Sequence, residues 1–148
     1  MTELEKLLAV EDIKRLKARY FYGLDQKDWD LWRTEVFAQD GRLIVPEASI
    51  EAVGVDDIIA YVSKSTGDQV SVHHGHMPII EIASDRTATG IWAMEDRLYR
   101  TKAHPLADGS TYLHGFGHYH EIYVRTAAGW RIQSTRLTRL RVEMTKIL

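Results

Sequence analysis

Apolar residues recur every three or four positions at the start of the chain and predict a long amphipathic helix. The segment from about Glu3 to Leu24 carries them at Leu4, Leu7, Leu8, Ile13, Leu16, Tyr20 and Leu24. Thr2 and Glu5 have the spacing of a capping box, which favours a helix start here. Gly23 weakens the end of the helix, and Asp25 to Lys27 are expected to form a short turn.

Two shorter helical patterns and one short strand follow. Asp28 can cap a second helix, whose apolar positions are Trp29, Leu31, Trp32, Val36 and Phe37. Gln39-Asp40-Gly41 predicts a turn, and Arg42 to Pro46 predict a short strand that proline ends. After a loop, a third helix should begin near Asp56-Asp57, because acidic side chains favour a helix N-terminus.

From Gln69 onward the composition is typical of β-strands. Segments rich in β-branched and aromatic residues run over about Val70–Ala83, Arg86–Arg100, Thr111–Arg125 and Gly129–Val142. Residues that favour turns fill each gap. Helices followed by long antiparallel strands predict one α+β domain over residues 1–148, with the helices on one face of a curved sheet. The last residues, 145–148, are expected to fray or to pack between subunits.

Composition excludes several functional classes. The formal net charge is −2 with both signs scattered, so no basic surface for nucleic acid is expected. No apolar run approaches the roughly 20 residues that a membrane span needs. Cysteine is absent, which excludes disulfides, thiolate ligands and a cysteine nucleophile. We expect a cytoplasmic protein. Most of its seven histidines fall into two clusters, which suggests a catalytic or binding site.

The first candidate site lies at the end of the first helix, where a phenol and a carboxylate occur five residues apart. Tyr20 lies on the apolar face, and Asp25 follows the expected helix end. Five residues on an unbroken helix separate two side chains by roughly 140°, so both face one pocket only if the helix ends near Gly23. The alternatives are a core tyrosine and an aspartate that only closes the turn.

Two histidine clusters supply further candidates. In the first, alternation places His74 and His76 on one face of a strand and His73 on the other. One such ring beside a carboxylate would make a general base, whereas the alternative is an exposed or interfacial position. In the second, His118 and His120 point the same way, as in a metal site, but no second spaced ligand motif is visible. We therefore expect no metal and no other cofactor.

The strand predicted over Arg86–Arg100 has one face that is typical of the wall of a pocket. Alternation aligns small, large and acidic side chains on one face, namely Ala88, Gly90, Trp92, Met94 and Asp96. A buried Asp96 would need a partner. On the last strand, Arg136 shares alternation with Trp130 and Ile132, so it is expected to face inward and to balance Asp96 or hold an anionic substrate group.

Three runs of residues together resemble a known family. The run YGLDQKDWDLW, the paired histidines His73-His74 and the run GHYHEIYVRTAAGWRI are similar to those of the SnoaL-like families. These families belong to the nuclear-transport-factor-2-like superfamily, which includes scytalone dehydratase and the bile acid 7α-dehydratases. The resemblance implies an α+β cone, in which a strongly bent antiparallel sheet wraps around a pocket that three N-terminal helices close. Because this superfamily hosts many activities, roles are carried over residue by residue.

The resemblance also implies roles for single residues. Asp25 matches the carboxylate of the Asp–His pair of scytalone dehydratase, and His74 best matches its histidine, with His73 one register away. Tyr20 matches the tyrosine of the bile acid dehydratases. Two further positions of those enzymes, an acid and an arginine, fall near Asp96 and Arg136.

Together these features predict a cofactor-independent lyase of the dehydratase type. Asp25 would orient His74, which removes a proton and returns it to the departing hydroxyl, while Tyr20 donates to the oxygen that gains charge. The substrate would be a hydroxylated aromatic or cyclic small molecule in contact with Trp29, Trp92, Met94, Tyr119, Asp96 and Arg136. Scytalone itself is not the expected substrate. The two tyrosines with which scytalone dehydratase holds a water correspond to Leu24 and Val45 in this sequence.

Other functions fit the same residues. The same base would serve an isomerase or cyclase of the ketosteroid isomerase kind, and the fold also suits a non-catalytic ligand-binding or assembly module. A metal enzyme would use His118 and His120 with His74 or His76, although alternation points the first two away from the pocket. A homo-oligomer, dimer or trimer, is expected from the aromatic and histidine side chains on the outer face of the sheet. We expect no nucleic-acid partner and no membrane partner.

Overall fold

Three helices and six strands make up the described part of the chain. A computed structural model describes residues 1–146. The helices are α1 (Glu3–Gln26), α2 (Trp29–Leu31), which continues directly as a π-helical turn (Trp32–Val36), and α3 (Val55–Thr66). The strands are β1 (Phe37–Val45), β2 (Ile50–Val53), β3 (Val70–Ile82), β4 (Thr87–Tyr99), β5 (Tyr112–Thr126) and β6 (Gly129–Thr145), with a 3-10 turn at Pro46–Ala48. Of residues 145–148, expected to fray or to pack between subunits, the last two lie outside the described residues.

The sheet is mixed and has the strand order β2-β1-β6-β5-β4-β3. All neighbouring strands are antiparallel except β1 and β6, which are parallel. The α+β class is therefore confirmed, whereas the expectation of a wholly antiparallel sheet is wrong. β1 and β6 are far apart in the chain, so no tight hairpin turn forces them to run in opposite directions.

β1 is longer than the pattern of residues predicts. Phe37, expected in the second helix, begins the strand, and the turn signal at Asp40-Gly41 lies inside it. The register of the pairing with β6 shifts between Phe37 and Arg42, so the turn residues form an irregularity within the strand. β2, expected to be loop, pairs with β1 where Ile50 lies opposite Val45.

α1 begins at the predicted capping box and ends two residues later than predicted. The Thr2 N–H donates to the Glu5 carboxylate at 2.6 Å, and the Thr2 hydroxyl oxygen accepts from the Glu5 N–H at 3.2 Å. The helix continues to Gln26, and Lys27 ends it in the left-handed region with φ of 58°. Asp25 therefore lies in the last turn of α1 rather than in a turn after it.

The core lies between the helices and one face of the sheet. α1 packs across β3 and against β6, and α3 packs against β1. Trp32 is fully buried, stacks on Tyr20 at 4.9 Å between ring centroids, and donates from Nε1 to the Tyr20 carbonyl oxygen at 3.0 Å. This contact holds the end of α1 in place and thereby positions Asp25. Within residues 1–146, no helix is long and apolar enough to cross a membrane.

Replacement of Gly23 by alanine tests the packing of Trp32. Alanine is the better helix former by about 1 kcal/mol, so propensity alone predicts a more stable protein. A β-carbon at position 23, however, would lie 2.7 Å from Trp32 Cδ1. We expect Gly23→Ala to lower the free energy of unfolding, measured by urea denaturation, by about 1–3 kcal/mol. The control is Ser65→Ala on the exposed side of α3, and a gain in stability from Gly23→Ala would contradict the packing.

Candidate active site

Asp25 and His73 form a hydrogen-bonded pair between α1 and β3. His73 Nδ1 lies 2.7 Å from Asp25 Oδ1, and the His73 backbone N–H donates to Oδ2 at 2.9 Å. The Ser71 hydroxyl also donates to Oδ1, at 2.9 Å. The His73 side chain is 8% exposed. Because the carboxylate accepts a hydrogen bond from Nδ1, the neutral ring carries its proton there and its lone pair on Nε2.

The prediction that Asp25 contacts His74 is wrong. The two histidines lie on opposite faces of β3, as alternation requires, but it is His73 that faces inward while His74 is exposed. The reason lies in the strand pairing. His73 is opposite Asp96 on β4, and Asp96 continues the buried row of that strand. His73 is the position one register from His74 in the family resemblance.

A second buried carboxylate lies on the other side of the His73 ring. Asp96 is 1% exposed, and its Oδ2 lies 3.8 Å from His73 Nε2. Arg139 on β6 donates two hydrogen bonds to it, from Nη1 to Oδ1 at 2.8 Å and from Nη2 to Oδ2 at 2.7 Å. Such a bidentate pair compensates the charge of a buried carboxylate. The side chains of Asp25, His73, Asp96 and Arg139 come from four elements and follow one another in a row, here called the charged line after its three charged members.

Arg139 takes the position that was predicted for Arg136. Alternation counted from the start of β6 places Arg136 inward. On this strand, however, Ile132 pairs with Tyr123 and Ser134 pairs with Ile122, so Gln133 between them is an extra, unpaired residue. Residues after this bulge alternate the other way, so Arg139 reaches the interior and Arg136 is exposed. The predicted contact of Arg136 with Asp96 is therefore wrong. The sequence did not reveal this, because a bulge leaves no clear signal in the pattern of apolar residues.

Tyr20 and Tyr119 place two phenols beside the charged line. They are 3% and 2% exposed, and their rings meet edge to face at 5.6 Å between centroids. Burial raises the pKa of both hydroxyl groups, and the charges of Glu121 and Asp96 raise that of Tyr20 further. Both phenols therefore stay protonated near neutral pH and can donate hydrogen bonds. α1 is unbroken past Gly23, so the helix end that was expected to turn Tyr20 and Asp25 toward one pocket is absent, and their shared site stays a prediction.

Apolar side chains surround the charged line. Trp92 and Met94 are buried on the same face of β4 as Asp96, in the order that alternation predicts. Tyr119 on β5 lies directly opposite Trp92. Trp29 is half-buried and packs edge-on against Trp32 at 5.4 Å between ring centroids. The role of these residues in substrate binding stays a prediction.

The second histidine cluster does not join this site. His120 is exposed and, with Arg136, lines a groove of about 510 Å³ on the outer face of the sheet. The rings of His118 and His120 are 6.3 Å apart between centroids. Among residues 1–146, no three His, Cys, Asp or Glu side chains are grouped so that they could hold a metal ion. The ligand set of His118 and His120 with His74 or His76 is therefore not assembled.

Solved structures share this fold at low sequence identity. The chain is similar to the Kfla4162 protein from Kribbella flavida, with a TM-score of 0.84 and 23% identity over 93% of this chain and 95% of that one. A hexachlorocyclohexane dehydrochlorinase (LinA type 2) matches with a TM-score of 0.84 and 13% identity over 99% and 95% of the two chains. A candidate scytalone dehydratase from Novosphingobium aromaticivorans matches with a TM-score of 0.83 and 18% identity over 99% and 94%.

A family model matches most of the chain. The model of the SnoaL-like domain covers residues 5–136. This range includes Asp25, His73 and Asp96, while Arg139 lies just beyond its end. The resemblance expected from the sequence is thereby confirmed, and a protein of the nuclear-transport-factor-2-like superfamily from Salmonella enterica also shares the fold, with a TM-score of 0.76. The chain belongs to the SnoaL-like domain family.

Proposed function

We propose that the protein is a cofactor-independent lyase that eliminates water from a hydroxylated aromatic or cyclic small molecule. The observation that carries this proposal is the half-buried pair of Asp25 and His73, in which Nδ1 is held at 2.7 Å from the carboxylate. The other ring nitrogen lies 3.8 Å from Asp96, beyond hydrogen-bonding distance. An imidazole oriented by a carboxylate at one nitrogen can take a proton at the other.

In the proposed reaction His73 acts first as base and then as acid. Nε2 removes a proton from a carbon next to a carbonyl or conjugated centre, and the electron pair of the C–H bond moves toward that centre. The imidazolium then returns the proton to the hydroxyl on the adjacent carbon. The C–O bond breaks, water leaves, and the electron pair becomes the new double bond. The enzyme ends in its starting protonation state.

The remaining polar residues stabilise the charges that form during this sequence. Asp25 lies 2.7 Å from Nδ1 and would interact with the positive charge that forms on the His73 ring during the reaction. Arg139 occupies both oxygens of Asp96 and thereby keeps that carboxylate from acting as a competing base. Tyr20, protonated near neutral pH, would donate to the substrate oxygen that gains charge, a contribution of about 3 kcal/mol in comparable sites.

Two structural relatives support the reaction class through their names. One is a dehydrochlorinase and another a candidate dehydratase, and both names denote elimination of a small molecule. The buried side chains of Trp92 and Met94 beside the charged line suit a mostly apolar substrate. An isomerase using the same base would move the proton to another carbon without loss of water, so the mass of the product distinguishes the two reactions.

Substitution of the two neighbouring histidines tests which one is the base. Purified protein would be incubated with a panel of cyclic β-hydroxy carbonyl compounds, and loss of water followed by mass spectrometry. We expect His73→Ala to lower kcat by roughly 100-fold or more, the contribution of a general base. The exposed His74 provides the matched control, and His74→Ala should change kcat by no more than about twofold. Equal losses in the two variants would contradict the proposal.

Gly115 tests the pair of Asp96 and Arg139. It lies opposite Asp96 on β5, and a β-carbon there would overlap with Oδ1 of Asp96 and Nη1 of Arg139. We expect Gly115→Ala to separate the pair, to lower the free energy of unfolding by about 1–3 kcal/mol, and to lower kcat as well. Phe116→Ala, at the next position and on the other face of the strand, is the control. Unchanged kcat in Gly115→Ala would show that the pair plays no part in the reaction.

A further inference from the structure

A lysine is fully buried on the inner face of α1, outside the line of residues used in the proposed reaction. Lys17 Nζ lies 2.5 Å from Glu121 Oε1 on β5, and both side chains are 0% exposed. Glu121 accepts two further hydrogen bonds, from the Thr135 hydroxyl at 2.8 Å and from the Tyr123 hydroxyl at 2.5 Å. Trp92 Nε1 in turn donates to the Tyr123 hydroxyl oxygen at 2.8 Å. The carboxylate that holds Lys17 is therefore itself held by side chains of β5 and β6, and β4 joins the network through Trp92.

The ammonium group of Lys17 lies between the two phenol rings of the candidate site. Nζ is 3.8 Å from the ring centroid of Tyr20 and 3.6 Å from that of Tyr119. The ring of Phe21 lies at 4.8 Å. These distances are within the range of cation–π contacts, which are strongest where water is excluded. One buried cation therefore contacts both phenols that border the charged line.

Stability alone does not account for an ion pair at this position. The cost of removing two charges from water commonly exceeds their mutual attraction, and apolar side chains of similar volume stabilise a core at least as well. Burial lowers the pKa of Lys17 to about 8, even though Glu121 acts in the opposite direction. The charged form is thus retained at neutral pH at an energetic cost, and its location against Tyr20 and Tyr119 suggests a function there.

We propose that Lys17 is a positioning residue of the site, which fixes the rings of Tyr20 and Tyr119 and strengthens the hydrogen bonds that their hydroxyl groups donate. A cation against the face of a phenol draws electron density from the ring, so the O–H group becomes a better donor. Glu121 holds the ammonium group in this place and supplies the balancing charge. The effect on the phenols requires no substrate, whereas its consequence for catalysis rests on the proposed function.

Nuclear magnetic resonance of the phenol rings tests the effect without a substrate. Tyrosine labelled with ¹³C would be assigned through Tyr20→Phe and Tyr119→Phe, and Lys17 Nζ followed by ¹⁵N. The titratable groups that face Lys17 are Glu121 and Tyr119 on β5 and Tyr20 on α1, with Tyr123 reached through Glu121. We expect the ring carbons of both tyrosines to shift in one step together with Lys17 Nζ, near pH 8. Ring shifts that do not follow the titration of Lys17 would overturn the proposal.

A matched pair of double variants separates this effect from general loss of charge. Lys17→Met with Glu121→Gln removes the buried ion pair without leaving either charge alone, and should abolish the shared step. Glu11→Gln with Lys14→Met removes an exposed ion pair of α1, with 2.6 Å between its charged atoms, and should leave the step unchanged. Persistence of the step in the first double variant would overturn the proposal, and the titration of the unaltered protein decides it even if that variant does not fold.

The kinetic consequence is tested by combining the buried double variant with Tyr20→Phe. We expect the double variant alone to lower kcat roughly 10- to 30-fold with little change in KM, in keeping with loss of a desolvated cation–π contact. In the Tyr20→Phe background the same change should lower kcat no further, because Tyr20 carries the one phenol hydroxyl that the proposed reaction uses, and it is already absent. Additive losses would indicate a structural role only and would contradict the proposal.

The two proposals fail in different ways. If no hydroxylated compound is turned over, the proposed lyase fails, while the shared titration of Lys17 and the two phenols still decides whether Lys17 acts on them. If turnover is found and depends on His73, but the phenols do not respond to Lys17, the lyase stands and the role of Lys17 is rejected.

Discussion

Asp96 must be paired inside the protein, and this requirement determines much of the surrounding structure. The residue is 1% exposed, and an ionised carboxylate without a partner at such a position would cost several kcal/mol. Arg139 supplies the opposite charge, but it can reach inward only because the bulge at Gln133 reverses the alternation of β6. The pair also needs the empty position that Gly115 provides on β5. The burial of Asp96 thus requires both the bulge at Gln133 on β6 and the glycine at position 115 on β5.

The same pairing determines how His73 can be used. Asp25 orients the ring through Nδ1, and Asp25 is itself oriented by the His73 N–H and the Ser71 hydroxyl. Arg139 engages both oxygens of Asp96, which leaves Nε2 without a hydrogen bond to that carboxylate. Preorganisation of this kind lowers the reorganisation needed when a proton moves. Asp25 thus fixes the ring of His73 through Nδ1, and Nε2 is left available to take a proton.

Local patterns in the sequence were sufficient for the class of fold and for part of the site. The capping box and the apolar row of β4 follow from spacing that neighbouring residues impose, and the structure shows both of them. The choice between His73 and His74 depended on which face of β3 meets Asp96, and this register is a property of two strands together. Arg139 was missed because a single bulge inverts alternation, and the buried Lys17 was missed because its partner Glu121 is more than 100 residues away.

The tautomer of the neutral His73 ring shows directly whether Nε2 is free to take a proton. Nitrogen-15 spectra of histidine-labelled protein, with His73→Ala used for assignment, report which ring nitrogen carries the proton when the ring is neutral. We expect Nδ1 to carry the proton, with the resonance of that proton shifted downfield because it is shared with Asp25, and Nε2 to carry none. A neutral ring protonated on Nε2, or an Nδ1 without a hydrogen bond to Asp25, would contradict the assignment of His73 as the base.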